Sequence, residues 1–160
     1  MMKTKLLLNC FIILFLTACA TDTAQQSARK INEECGWEMQ AGRTAIRIRD
    51  SNKPPSTLKA RLKPLSKHSS RLLVVMHEIA DEVYTFKDLN ETTYSVYRFE
   101  LCMRQLQKKN YPASITPQHE DLLACQQQYG NKSSPEHTQC VTKTVEQHSI
   151  NSGVGNANLN

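Results

Sequence analysis

The sequence predicts an all-α fold: a small helical bundle of about five helices held by two disulfides. The 160-residue chain has 5 glycines and 6% aromatic residues. Its long stretches of Gln, Glu, Lys, Arg, Leu and Ala favour helices over strands. Apolar residues recur at steps of three or four, and no stretch shows the sustained alternation of a strand. Once the N-terminal segment is set aside, four cysteines remain, which is the even number expected of a disulfide framework.

The first helix of the domain begins near residue 29 and carries one stripe of small and apolar residues: Ile31, Cys35, Met39, Gly42 and Ile46. Residues 52–55 read Asn-Lys-Pro-Pro and end this helix, because proline lacks an amide donor and restricts the residue before it. A short helical turn is expected from Ser56 to Lys63.

The second helix is predicted from Ser69 to Phe86, with its buried stripe formed by Leu72, Val75, Met76, Ile79, Val83 and Phe86. Asn90 or Thr92 is a candidate cap for the third helix. The side chains expected to point inward from the third helix are Val96, Phe99, Cys102, Met103 and Leu106.

Two shorter helices are predicted at the C-terminal side, near 117–129 and 135–148. Thr116-Pro117 and Ser134-Pro135 each place a capping residue before a proline at the first helical position. From Ser149 onward Asn, Ser and Gly dominate, so residues 149–160 are expected to form a disordered tail.

The pairing of the four cysteines follows from the elements that carry them, although four cysteines allow three connectivities. Cys125 and Cys140 lie at similar distances from the polar turn that starts at Gly130. An antiparallel hairpin would bring them together and leave Cys35 and Cys102 to close the main bundle. The competing interpretation is metal or redox chemistry at His137-x-x-Cys140 with Cys125, but the chain has no Cys-x-x-Cys pair.

The N-terminal segment ends in the tetrad Leu16-Thr17-Ala18-Cys19. Lys3 and Lys5 precede an apolar run that is too short for a stable bilayer anchor. The tetrad resembles the lipobox of bacterial lipoprotein signal peptides, and this resemblance implies cleavage before Cys19 and acylation of that residue. The alternative is an ordinary secretory peptide cut near Ala18 or Ala20. In enterobacterial lipoproteins an Ala20 after the cysteine resembles an outer-membrane sorting signal, which implies a lipid-anchored protein of the cell envelope that faces the periplasm.

Charge is concentrated in one stretch of the chain that remains after cleavage. Removal of residues 1–18 takes two lysines, so 18 basic residues face 15 acidic ones and the net charge falls from +5 to +3. Between residues 43 and 71 a single acid, Asp50, accompanies nine basic residues: Arg43, Arg47, Arg49, Lys53, Lys59, Arg61, Lys63, Lys67 and Arg71. These residues predict a basic surface for anionic lipid, cell-wall polymer or an acidic protein partner, with a solvated helix face as the alternative. Nucleic acid is not an expected partner, because the compartment is wrong and no aromatic residues interleave this stretch.

No catalytic signature is present, and we expect no enzyme activity, metal or cofactor. His77-Glu78-Ile79-Ala80-Asp81 has Asp where the zinc-protease helix motif has its second His, which favours an ordinary surface histidine. His119-Glu120-Asp121 opens a helix, where acidic side chains complement the helix dipole.

Three segments of the mature chain resemble a group of small exported proteobacterial proteins that are predicted to be helical: Cys35-x-x-x-Met39-x-x-x-Arg43 with Ile46 and Arg49, then Ile79 to Tyr84, then Tyr97-x-Phe99-x-x-Cys102. This resemblance supports the helical fold and the Cys35–Cys102 pairing, and it implies no activity.

The predicted organisation is therefore a signal peptide (1–18), a lipidated cysteine and tether (19–28), a helical domain (29–148) and a tail. The domain consists of a main bundle (29–110) and a C-terminal hairpin (116–148). Its predicted function is that of a membrane-anchored, non-catalytic binding module for a periplasmic or surface protein. The alternative is a structural envelope lipoprotein that contacts anionic lipid or cell-wall polymer through its basic face.

Overall fold

The computed structural model describes residues 3–64, 67 and 70–152, and every regular element within these ranges is helical, with no strand. The all-α prediction is confirmed. The described α-helices are, in chain order, α1 (Lys3–Asp50), α2 (Pro55–Leu62), α3 (Ser70–Thr85), α4 (Glu91–Leu106), α5 (His119–Tyr129) and α6 (Pro135–Ser152). A 3-10 turn, Thr116–Gln118, precedes α5. This part of the chain holds one α-helix more than the five predicted, because the turn expected near 56–63 is the eight-residue helix α2.

The chain divides into two compact units, Met1–Glu33 and Glu34–Asn160. In the first unit α1 is continuous from Lys3, so residues 19–28, predicted as the lipidated cysteine and tether, are helical. The second unit contains the remainder of α1, the other five described α-helices and both disulfides. The predicted boundaries of signal peptide, tether and domain stay predictions.

Both predicted disulfides are present in the second unit. Cys35 is bonded to Cys102, with 5.5 Å between their Cα atoms, and this bond joins α1 to α4. Cys125 is bonded to Cys140, with 5.8 Å between Cα atoms, and it joins α5 to α6 across the Gly130 turn. The hairpin argument for Cys125 and Cys140 is therefore confirmed, and the metal or redox interpretation of these two cysteines is not supported.

The buried stripe of α3 agrees with the prediction. Five of its six predicted residues lie in the core, namely Leu72, Val75, Met76, Ile79 and Val83, and the sixth, Phe86, is partly buried. They pack with apolar residues of the neighbouring helices, which include Ile46 of α1, Leu58 and Leu62 of α2, and Leu122 of α5.

The inward face of α4 differs from the prediction. Val96 and Cys102 are buried as expected, but Phe99, Met103 and Leu106 are only partly buried. The side chains that fill the interior are instead Tyr94, Tyr97, Arg98 and Leu101. The helix can turn Arg98 inward because carboxylates of α1 and α3 neutralise its charge, as described below.

Three helix ends test the capping predictions. Asn90 caps α4 by accepting a hydrogen bond from the Thr93 amide at 2.8 Å, and the Ser134 hydroxyl accepts one from the His137 amide at 3.1 Å. The cap predicted at Thr116 is wrong: Thr116 lies inside the 3-10 turn, which has no side-chain cap.

The C-terminal helix is longer than predicted. Helix α6 continues to Ser152, and Ser149 is buried with its hydroxyl donating to the Val145 carbonyl at 2.5 Å. Residues 149–152 therefore belong to the helix rather than to the predicted tail. The remainder of that tail, residues 153–160, lies outside the described residues.

Candidate functional site

A cluster of buried charges joins α1, α3 and α4. The guanidinium of Arg98, on α4, is wholly buried. It donates to Glu38 of α1 and to two carboxylates of α3, Glu78 at 2.8 Å and Glu82 at 3.1 Å. The second oxygen of Glu38 accepts from Nε of Arg71 at 2.9 Å. Glu38 and Glu82 are buried as well, so their ion pairs with Arg98 lie almost entirely out of water, whereas the side chain of Glu78 is 45% exposed.

Two tyrosines of α4 complete this cluster. The Tyr94 hydroxyl donates to Glu82 Oε2 at 2.7 Å, and the Tyr97 hydroxyl donates to Glu82 Oε1 at 3.3 Å. Tyr94 approaches α1 so closely that a Cβ atom at Gly42 would lie 3.3 Å from its ring. Gly42 therefore permits the contact between α1 and α4 that brings Glu38 to Arg98.

Burial sets the ionisation of the cluster. Burial raises the pKa of Glu82, and the charge of Arg98 offsets only part of this rise. Burial also raises the pKa of Tyr94 and of Tyr97 well above the ordinary range. Burial lowers the pKa of Arg98, but the carboxylate of Glu38 and further neighbours outweigh it and raise this pKa well above its ordinary value. Arg98 thus stays charged, and Glu82 is the carboxyl group of the cluster whose pKa is raised by burial.

Glu82 is therefore expected to make stability depend on pH. Because its folded pKa is raised, its favourable contribution is complete below the unfolded pKa of about 4.5 and is lost as the pH rises through the folded value. The stability of the wild type relative to Glu82→Gln should fall as the pH is raised from 4 to 7.5, as measured by urea unfolding at each pH. Asp81→Asn, on the exposed neighbouring position, is the matched control. A wild-type to Glu82→Gln difference that is constant over this range would contradict the assignment.

The nine predicted basic-surface residues do not form one exposed face. Arg49 has a side chain that is 9% exposed, and its guanidinium donates to the carbonyl of Val83 in the last turn of α3 and to those of Phe86 and Leu89 just after it. Arg71 belongs to the buried charge cluster. The prediction of a continuous basic surface is corrected for these two arginines, because each is bound to groups inside the fold.

The other predicted basic residues have varied surroundings. Arg43 is half-buried and donates to Ser95 at 3.4 Å, whereas Arg47 forms a two-bond ion pair with Glu91 at 2.6 and 2.7 Å. The exposed members are Arg47, Lys53, Arg61, Lys63 and Lys67, and the side chain of Lys59 lies outside the described part of the chain.

A groove between α1 and α2 gathers three of these cations. Its volume is about 350 Å³, and we call it the α1–α2 groove; its lining residues are Thr44, Arg47, Ile48, Ser51, Lys53, Thr57 and Arg61. The lining contains no acidic residue, although Glu91 reaches Arg47 from α4. The carbonyls at the end of α1 are already bonded: those of Arg47 and Ile48 accept from the amides of Ser51 and Lys53. The groove therefore presents positive charge beside hydroxyl groups and one aliphatic side chain, Ile48.

The contacts of α3 fix which end of the second unit holds this groove. Arg71 is bound to Glu38, and α3 ends beside Arg49, so α1 and α3 run in the same direction. We call the end that contains Glu34 and Glu38 the proximal end, and the end that contains Arg49 and Lys53 the distal end. The α1–α2 groove lies at the distal end, which begins about 15 Å along α1 from Glu34 at 1.5 Å per residue.

The histidines that the sequence singled out lie either on the surface or in structural hydrogen bonds. His77 is exposed on α3, and its neighbour Glu78 is bound to Arg98. His137 is fully buried, 2.9 Å from the Thr93 hydroxyl and 3.2 Å from the Lys132 carbonyl, so it fastens α6 to α4. Over the described residues, no group of three or more His, Cys, Asp or Glu side chains is arranged to hold a metal ion.

The side chain of Cys19 lies outside the described part of the chain, so the lipidation site stays a prediction. Over the part of the chain that is described, none of the helices combines the length and the apolar character needed to cross a membrane.

Sequence reasoning found the cysteines and the cations of the groove but missed the buried charge cluster. One signal was present in α4: positions 94, 97, 98 and 101 form a helical stripe in which Arg98 lies between two tyrosines and a leucine. No protein family model, curated protein or solved structure matches this chain.

Proposed function

We propose that this chain is an acylated lipoprotein of the bacterial envelope, anchored through Cys19, whose helical domain is a non-catalytic binding module for a protein partner. The tetrad at residues 16–19 supports the anchor, and Ala20 supports outer-membrane location with the domain in the periplasm. The α1–α2 groove is the observation that carries the binding function, because it concentrates cations in a concave site without an acidic lining residue.

The scaffold suits binding rather than chemistry. The Cys35–Cys102 disulfide and the buried cluster around Arg98 fix α1 against its neighbours, so the groove is presented on a preorganised surface. Preorganisation reduces the entropy lost on association. Tyr94, Tyr97 and Arg98, whose pKa values are raised well above their ordinary range, are wholly buried in that scaffold and do not line the groove.

Position favours a protein partner over the anchoring membrane as the occupant of the groove. A chain anchored at Cys19 enters the second unit at its proximal end, whereas the groove lies at the distal end. A concave site of about 350 Å³ also fits one or two acidic side chains of a partner better than a flat lipid surface.

Charge reversal in the groove tests this function. In-cell crosslinking of the tagged full-length chain should recover one protein at fixed stoichiometry from the wild type. Lys53→Glu/Arg61→Glu should reduce that recovery at least tenfold. The matched control Lys87→Glu/Lys132→Glu reverses two exposed lysines elsewhere on the domain and should leave recovery unchanged.

Two outcomes would reject the proposal. Recovery that is equal for the groove variant and the control would show that the groove is not the binding site. Recovery of only bulk membrane or cell-wall material, released by moderate salt, would favour the structural lipoprotein that contacts anionic surfaces through charge.

A further inference from the structure

Two aliphatic side chains at the start of α3 are exposed to solvent. Leu73 is 53% exposed and Val74 is 79% exposed, and they are adjacent in sequence on a helix whose opposite face fills the core. Among the described residues one other large apolar side chain is comparably exposed, Ile150, which stands on α6. An exposed pair on a rigid helix keeps about the same orientation relative to the rest of the unit.

This pair lies at the proximal end of the second unit. Arg71, two residues before Leu73, donates to Glu38 at 2.9 Å, one helical turn after Glu34. The chain that arrives from Cys19 therefore enters the unit at the same end as the exposed pair.

Lysines are placed at the same end. Gln105, near the end of α4, accepts a hydrogen bond from Arg71, and the exposed Lys108 and Lys109 follow three and four residues later. Lys67, also exposed, precedes α3. The half-buried Glu34 lies at this end too.

The acidic residues of α3 lie farther along the helix. The exposed positions after Val74 include Glu78 and Asp81, which are four and seven residues closer to the distal end. The outer face of α3 thus changes from apolar to acidic with distance from the proximal end. Such a gradient favours an orientation in which the start of α3 faces a membrane with anionic headgroups and its acidic half faces away.

We infer that Leu73 and Val74, together with Lys67, Lys108 and Lys109 at the same end of the second unit, form a membrane-contact surface that binds the anionic lipid surface in which the acyl chains are anchored. This inference rests on the proposed acylation of Cys19. Two side chains cover far less than the roughly 800 Å² per partner of a stable protein interface. Two side chains are enough to orient the domain on a membrane, because the acyl anchor already holds the lipid surface at high effective concentration and the contact does not have to provide the whole binding energy.

Fluorescence quenching by brominated lipid tests the surface. The acylated chain, expressed from the full-length sequence with Trp37→Phe to remove its single native tryptophan, is reconstituted in vesicles of phosphatidylethanolamine and phosphatidylglycerol at 3:1 with acyl chains brominated near the headgroup. Val74→Trp should be quenched at least twofold more than the matched variant Ile150→Trp, whose native side chain is 71% exposed. Adding Lys108→Glu/Lys109→Glu should reduce the quenching of Val74→Trp.

The outcomes separate this surface from the proposed lipoprotein. Mass spectrometry of the same preparation reports acylation of Cys19, and a chain that lacks it would reject the lipoprotein proposal. In chains with confirmed acylation, equal quenching at the two positions would overturn the membrane-contact surface. Absent quenching at both positions would also overturn it.

Discussion

Replacing Arg98 with methionine is expected to lower the free energy of unfolding by about 3–5 kcal/mol, because it leaves buried carboxylates without a counter-charge. Glu38 and Glu82 are both buried and both accept from the Arg98 guanidinium. Methionine fills a similar apolar volume, so the loss reports charge rather than a cavity. Urea unfolding at pH 7, followed by circular dichroism, measures the change.

A second arginine gives the control for this prediction. Arg47 forms an ion pair with Glu91 at 2.6 Å, but its side chain is 65% exposed and water screens the pair. Arg47→Met should leave the urea midpoint within the scatter of replicate curves. An Arg98→Met loss no larger than that of Arg47→Met would show that the buried cluster contributes little.

Removing the stranded carboxylates should restore stability to the Arg98 variant. Glu38→Gln and Glu82→Gln, introduced together with Arg98→Met, replace buried charges by amides and remove most of the cost of desolvation. The triple variant is therefore expected to be more stable than Arg98→Met alone. The same double substitution in the wild-type background completes the thermodynamic cycle, and its coupling energy isolates the charge interaction.

The sequence made the apolar framework predictable because its signals are local. The α3 stripe recurs at helical spacing, Pro54 and Pro55 end α1 by removing amide donors, and the Gly130 turn places Cys125 opposite Cys140. Each of these inferences depends on residues within one or two helical turns or within one hairpin. The fold class and both disulfides followed from such patterns.

The buried cluster was not predictable in the same way because its partners are distant in sequence. Glu38 and Arg98 are 60 residues apart, and Arg71 and Glu38 are 33 apart. A charged residue is almost always exposed unless it is paired, so the sequence favours Phe99, Met103 and Leu106 over Arg98 for the inward face of α4. The pairing could not be recognised before the relative positions of α1, α3 and α4 were known.

The candidate site was predicted by composition but not by position. Nine basic residues between 43 and 71 indicated a positive surface, and three of them line the α1–α2 groove. Arg49 carries the same charge, yet it binds carbonyls in the last turn of α3 and just after it at distances of 2.9–3.4 Å. Composition cannot separate a basic residue that caps a helix from one that faces solvent, since both read as Arg.

Loss of the Cys35–Cys102 bond should destabilise the domain more than loss of the Cys125–Cys140 bond. The first closes a loop of 67 residues and the second a loop of 15. A longer loop removes more conformational entropy from the unfolded chain, which gives estimates of about 4 kcal/mol for the first bond and about 3 kcal/mol for the second. Urea unfolding of Cys35→Ala/Cys102→Ala and of Cys125→Ala/Cys140→Ala, compared with the oxidised wild type, measures the two costs.

The two disulfides also differ in what else holds their helices together. Helices α1 and α4 keep the Glu38–Arg98 pair, one turn from Cys35 and from Cys102, when their disulfide is removed. The Cys35→Ala/Cys102→Ala variant should therefore still fold. Glu38→Gln should lower the free energy of unfolding more in this variant than in the wild type, because the variant no longer has the disulfide that would keep α1 against α4 when the ion pair is lost. If Cys125→Ala/Cys140→Ala proves the less stable of the two disulfide variants, chain entropy does not govern the order. Strictly additive costs for Cys35→Ala/Cys102→Ala and Glu38→Gln would show that the disulfide and the charge cluster act independently, despite lying one helical turn apart.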